Sequence, residues 1–220
     1  MTTARSVPST LAAAERADLA DLLATLTPGQ WDAPSLCAGW RVRDVVAHLI
    51  AYDGLPWREL LGHAVRARFS LDRINDALVA EWATRDTAEL VAEIRAHPYP
   101  SGLVAMFGGR VGLLDVLLHQ QDIRRPLGLP RVVPPDRLAV VLEFAAGAPP
   151  IRWRRRCRGL RMLATDLDFR YGDGLDVAGP AEALLVAGAG RADALDELAG
   201  TGVGVLAERI AAEQAAQPAA

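Results

Sequence analysis

Leu114-Asp115-Val116-Leu117-Leu118-His119-Gln120-Gln121-Asp122-Ile123-Arg124-Arg125-Pro126 sets an apolar pattern against a few polar positions. Asp115 and His119 are four apart and Asp122 is three further on, so a helix projects all three from one face. The neighbours Leu113, Leu114, Val116, Leu117 and Leu118 are apolar nearly all round, which predicts a buried helix stopped by Pro126 and Gly128. A carboxylate and an imidazole at this spacing can hold one metal ion between them. A second amphipathic segment, Val42-Arg43-Asp44-Val45-Val46-Ala47-His48-Leu49-Ile50, carries another histidine amid apolar neighbours. Two helices of one bundle can therefore offer His48, Asp115 and His119 as three ligands. Such a set leaves coordination positions open for a substrate, as catalytic rather than structural sites do. Spacing alone leaves other readings open: an i,i+4 Asp–His pair satisfied within the core, and for His48 a hydrogen-bonded core histidine.

Working outward, Ser9 to Leu26 reads as a first helix on Leu11, Leu19, Leu22 and Leu23. Thr27-Pro28 reads as an N-cap and first helical position. The helix from Val42 is expected to run past Pro56, kinked there, towards Val65. Leu71 to Thr84 and Thr87 to Ala96 are further helices, the latter capped by Asp86 or Thr87. Gly108-Gly109 punctuates the chain before the motif helix, and Pro134-Pro135 opens another helix through Phe144. The character changes after Gly147. Gly159 to Asp166 alternates weakly, Asp168 to Tyr171 follows, and Gly172-Asp173-Gly174 turns, which predicts a hairpin or meander. Helices are expected from Ala181 to Ala189 and from about Val203 to Ala212. The expected fold is mainly α: a bundle of four main helices over 1–147, and a small C-terminal α/β region over 148–220.

Composition agrees. Of 220 residues, 51% are apolar but only 5% aromatic, which favours helix over an all-β design. No apolar run approaches the ~20 residues of a membrane-spanning helix. Met1 to Ala13 lacks a basic region followed by an apolar core, so a cytoplasmic protein is expected. Cys37 and Cys157 are too few and too far apart for a disulfide framework, and both read as free thiols that are bystanders to any site. Every basic side chain among the 24 is Arg, and the net charge of −3 argues against general nucleic-acid binding. Arg152-Trp153-Arg154-Arg155-Arg156-Cys157-Arg158, with Arg161, is a local exception that could grip an anion. A solvated linker or strand edge is the plainer reading. Neither nucleic acid nor a membrane is expected as a partner.

Three separated blocks add a family resemblance. Leu26-Thr27-Pro28-Gly29-Gln30-Trp31-Asp32-Ala33-Pro34-Ser35-Leu36-Cys37-Ala38-Gly39-Trp40, followed by Val42 to Leu49, closely resembles the N-terminal signature of the maleylpyruvate isomerase family. These are mycothiol-dependent, DinB-like metalloproteins. His119 to Gly128 resembles their second signature. Gly159 to Asp168, Gly172-Asp173-Gly174 and Gly179 to Leu185 resemble the C-terminal part of many members.

The resemblance implies a DinB-like four-helix bundle with a divalent metal, usually zinc, in a central cavity. It implies His48, Asp115 and His119 as ligands; a well-studied member has Glu at the acidic position, and many DinB-like relatives have His. Asp is shorter, so the ion is expected nearer the motif helix or bound through one oxygen. Relatives often place a small hydroxyl residue at position 41, and Arg41 cannot cap in that way. A zinc ion lowers the pKa of a bound thiol and polarises a carbonyl. With mycothiol as cosubstrate and a small electrophile, the implied chemistry is S-transfer or addition–elimination isomerisation, and the rival is a DinB-like binding protein without turnover. Asp122 is a candidate to orient His119 or a substrate group, against an ion pair with Arg125. Arg124 and Arg125 are candidates to hold a carboxylate, against capping of the helix C-terminus. The electrophile is not legible, and the oligomeric state stays open, a homodimer included.

Overall fold

The computed structural model describes residues 5–53 and 55–216. The chain divides into two compact units, Met1–Leu129 and Pro130–Ala220. The first unit is helical. Helix α1 (Val7–Leu23) starts two residues before the expected Ser9, because Ser6 is its cap and accepts the Ser9 N–H. The short α2 (Pro28–Trp31) opens on a capping box in which Thr27 and Gln30 bond reciprocally. Helix α3 (Val42–Ala51) has Arg41 as its N-cap, whose side chain cannot accept a bond. Asp44 supplies the reciprocal half instead: its carboxylate accepts the Arg41 backbone N–H at 2.9 Å and binds the guanidinium.

The expected single helix from Val42 to Val65 is two helices. Helix α3 ends at Ala51, and α4 (Trp57–Arg66) starts afresh with Pro56 as its N-cap. Proline carries no N–H to continue an α-helical ladder, and it restricts the residue before it to extended backbone. Next come α5 (Leu71–Trp82), α6 (Thr87–Ala96) with Asp86 accepting the Ala88 N–H at 2.8 Å, and α7 (Arg110–Arg124). Helix α1 packs along α7, while α3 packs against α5, α6 and α7. Their shared core holds Leu19, Leu23, Val45, Leu49, Leu90 and Ile123.

Gly109 precedes α7 with φ +87°, and a Cβ there would lie 2.8 Å from the Ser9 Cα. Only glycine permits both the left-handed turn and that approach of α1. Gly102–Arg124 is apolar and long enough, by composition, to cross a membrane. Its backbone nevertheless leaves helical geometry at Met106, Phe107 and Gly108, and the α7 leucines are buried in the protein core.

The second unit begins with α8 (Pro135–Ala145), which groups there rather than with the N-terminal helices. The one-turn α9 (Trp153–Arg156) leads into the strands β1 (Leu160–Ala164), β2 (Arg170–Tyr171) and β3 (Leu175–Gly179). The sheet order is β2-β1-β3, antiparallel between β1 and β2 and parallel between β1 and β3. The expected hairpin is thus present as β1–β2, but Gly172-Asp173-Gly174 carries the chain on to a third strand across β1. Helices α10 (Ala181–Gly188) and α11 (Val203–Ala215) follow. The arginine run is divided: Arg152, Arg154, Arg155 and Arg158 are exposed, whereas Arg156 and Arg161 are engaged in the packing. Arg156 is buried, donating to Glu213 at 2.8 Å and to the Gly188 carbonyl at 2.9 Å. Arg161 pairs with Asp176. Burial pushes the Cys157 thiol up to about 12, so it is an inert core group.

Candidate metal centre

The site lies within the first unit, between α3 and α7. His48 sits in the last turn of α3, and Asp115 and His119 lie one turn apart on α7. His48 Nε2 is 3.7 Å and His119 Nε2 is 3.4 Å from Asp115 Oδ1. The two imidazole rings meet edge-on with centroids 4.9 Å apart. Ligand bonds of about 2.0–2.2 Å in a tetrahedral site place donor atoms roughly 3.4 Å apart. The nitrogen–oxygen separations here match such an edge, so the residues present fit one divalent ion. All three donor atoms lie within 4.8 Å of one another.

Electrostatics favours a cation at the same place. Burial pushes the Asp115 carboxyl up, but hydrogen bonds and charge from His119 and His48 outweigh it and hold it well below the usual carboxylate range. Burial likewise lowers His119, yet Cys37, Asp115 and Asp122 together raise it well above the ordinary imidazole value. A field that favours charge on an imidazole favours a metal ion beside it.

Asp122 is fully buried, and its Oδ2 lies 2.8 Å from His119 Nδ1. An ionised carboxylate only accepts, so Nδ1 donates, and a metal ion that displaces the Nε2 proton would meet the Nε2 lone pair on the side of Asp115 and His48. Trp40 and Tyr52 flank His48, with ring centroids at 5.2 Å and 5.4 Å. Burial, with the Asp115 charge, raises the Tyr52 phenol to about 12, so it stays protonated.

The structure brings His48, Asp115, His119 and Asp122 together. Arg124 instead extends a buried chain: its Nε donates to Gln120 Oε1 at 2.8 Å, and Gln120 Nε2 donates to Glu15 Oε1 at 3.0 Å. Arg125 is the C-cap of α7, its backbone N–H donating to the Gln121 carbonyl. Sequence reasoning set Cys37 aside as a bystander, yet its Sγ lies 3.1 Å from Asp122 Oδ2 and 3.7 Å from His119 Nδ1. The only signal in the chain was its place inside the N-terminal signature. The buried Arg16–Asp53 ion pair, from α1 and the end of α3, was also missed. No periodicity links two residues 37 apart.

Comparison with known proteins follows the same outline. Residues 12–98 match the family model described as the mycothiol maleylpyruvate isomerase N-terminal domain. The matched segment is less than half of the chain. It contains α3 and His48, whereas Asp115 and His119 lie beyond the matched residues. Crystal structures of the mycothiol-dependent maleylpyruvate isomerase, and of a histidine-to-alanine mutant of it, share the fold. Each has a TM-score of 0.57 and 18% identity, covering 88% of this chain and 91% of that one. At that identity the likeness carries the fold alone: a mainly helical chain with a small three-stranded sheet in its C-terminal part. A search of curated proteins finds no significant match.

Proposed function

We propose that this chain is a metal-dependent, mycothiol-using enzyme that directs a thiolate at a small electrophilic molecule, by S-transfer or by addition–elimination isomerisation. The convergence of His48 Nε2, Asp115 Oδ1 and His119 Nε2 on one ion-sized position, with His48 inside the segment that matches this family's N-terminal model, carries the reading. His48, Asp115 and His119 hold a divalent metal, with zinc suited to two imidazoles and a carboxylate. When bound, the ion supplies Lewis acidity, which lowers the pKa of a thiol and polarises a carbonyl.

The chain's own residues supply the rest. Three protein ligands leave room for a sulfur and an oxygen from outside. Asp122 holds the His119 tautomer, and Trp40 with Tyr52 limits water around His48. Arg125, at the α7 terminus, is kept as a candidate for a substrate carboxylate. A thiol cosubstrate suits a reducing, cytoplasmic setting.

Metal-loaded protein mixed with mycothiol and a panel of electrophiles is expected to yield S-conjugates or isomerised products, and apo-protein none. Undetectable mycothiol binding at full metal occupancy would replace the enzyme with a DinB-like metal-binding protein.

Asp122→Asn is expected to weaken metal binding by roughly 10–100-fold, as loss of a ligand-orienting carboxylate commonly does. The amide keeps the volume but can present N–H to Nδ1 and favour the wrong tautomer. Competition with a chromogenic chelator measures the change, and unaltered affinity would remove Asp122 from this role.

A further inference from the structure

The loop between α2 and α3 is fastened to α7 at Asp122. The Leu36 backbone N–H donates to the Asp122 carbonyl at 3.0 Å. The Cys37 N–H donates to Ser35 Oγ at 3.1 Å, and Ser35 Oγ in turn donates to the Trp40 carbonyl at 2.8 Å. This brace aims the Cys37 thiol at the buried Asp122 carboxylate, 3.1 Å from Oδ2. The same oxygen takes the Nδ1–H of His119 at 2.8 Å.

We propose that Cys37 is a positioning residue of the metal centre: its S–H donates to Asp122 Oδ2 and holds that carboxylate where it orients His119. The inference rests on the ligand assignment above. A thiol is a weak donor, so its contribution is directional. It fills one acceptor site on an oxygen that must point at Nδ1, and it excludes rotamers in which Asp122 turns away. Cys37 stands on the Nδ1 side of the ring, whereas Asp115 and His48 stand on the Nε2 side. The two nitrogens of an imidazole point apart, so an ion held by the Nε2 set is not within reach of Cys37. The competing arrangement is a site built from Cys37, His119 Nδ1 and Asp122, whose donor atoms also lie within 4.8 Å of one another.

Cobalt(II) titration of apo-protein without added thiol separates these. Wild type is compared with Cys37→Ala and Cys37→Val, which lack a donor and differ in volume, and with Cys37→Ser, which keeps one. Wild type is expected to bind cobalt with visible d–d absorption and no thiolate-to-cobalt charge-transfer band. Cys37→Ala and Cys37→Val are each expected to weaken binding about tenfold, the lower end for residues behind a ligand, and to shift the d–d spectrum. Cys37→Ser is expected to restore wild-type affinity and spectrum. If either donorless variant fails to fold, as judged by circular dichroism, the other still reports. Wild-type affinity in the donorless variants overturns the proposal. So does rescue by Val but not Ser, which means packing alone, or a charge-transfer band in wild type, which makes Cys37 a ligand. Absence of any cobalt binding by wild type overturns the ligand assignment and this inference with it.

Discussion

Alanine at His119 is expected to abolish stoichiometric metal binding and, with it, any thiol-dependent turnover. His119 meets both carboxylates of the site, Asp115 at 3.4 Å and Asp122 at 2.8 Å. Its removal takes away one of the three proposed ligands, and it also strips a donor from a carboxylate that is fully buried. The affinity loss should exceed the ~10–100-fold typical of removing a residue that merely supports a ligand. A stability loss of about 1–3 kcal/mol should accompany it, from the lost hydrogen bond to a charged, buried acceptor. Elemental analysis after chelator-free purification, with a denaturation curve, measures both. His97→Ala is the control, since His97 is half exposed and pairs with Glu93 at 3.1 Å. Metal content unchanged in His119→Ala, and likewise in His48→Ala, would sink the ligand assignment.

The largest stability effect is expected in the second unit, at Gly188. Ala is the better helix former by about 1 kcal/mol, and Gly188 lies within α10, so local propensity favours the substitution. Packing forbids it. A Cβ at Gly188 would lie 2.2 Å from Trp153 Cζ3 and 2.4 Å from Cε3. The indole is 1% exposed, and Tyr171 stands edge-on to it with centroids 6.0 Å apart, so the ring has no free space to yield into. Overpacking of this kind costs about 1–3 kcal/mol or more, and the helix gain offsets only part of it. Gly188→Ala should therefore lower the denaturation midpoint. Gly204→Ala, on α11 with no atom within 4 Å of its added Cβ, should hold or raise it. Equal stability of Gly188→Ala and wild type would contradict the Trp153 packing.

Much of the helical outline is local chemistry and was legible in the chain. Thr27 with Gln30, and Asp86 with the Ala88 N–H, mark helix starts because a short polar side chain bonds an N–H within the next turn. The i,i+4 spacing of Asp115 and His119 places both on one face wherever α7 goes. The apolar stripe of α3 likewise predicted a buried helix carrying His48, and its core positions Val45 and Val46 are fully buried. The overreach at Pro56 had a local cause: apolar residues recur on both sides of the break in helical spacing, so the pattern alone could not show where the ladder stops.

The chain by itself determined the helix faces, their caps and the polar residues they carry, since each depends on atoms within one or two turns. Tertiary structure decided which faces meet. Pairing of β1 with β3 rather than a plain hairpin, and the grouping of α8 with the sheet, follow from packing across many intervening residues. The same holds for Cys37 and Asp122, 85 residues apart in sequence yet 3.1 Å apart in space. Periodicity does not reach that far. The meeting depends on where a loop is pinned, and that is set by the burial of Asp122 and by the Leu36 N–H finding its carbonyl.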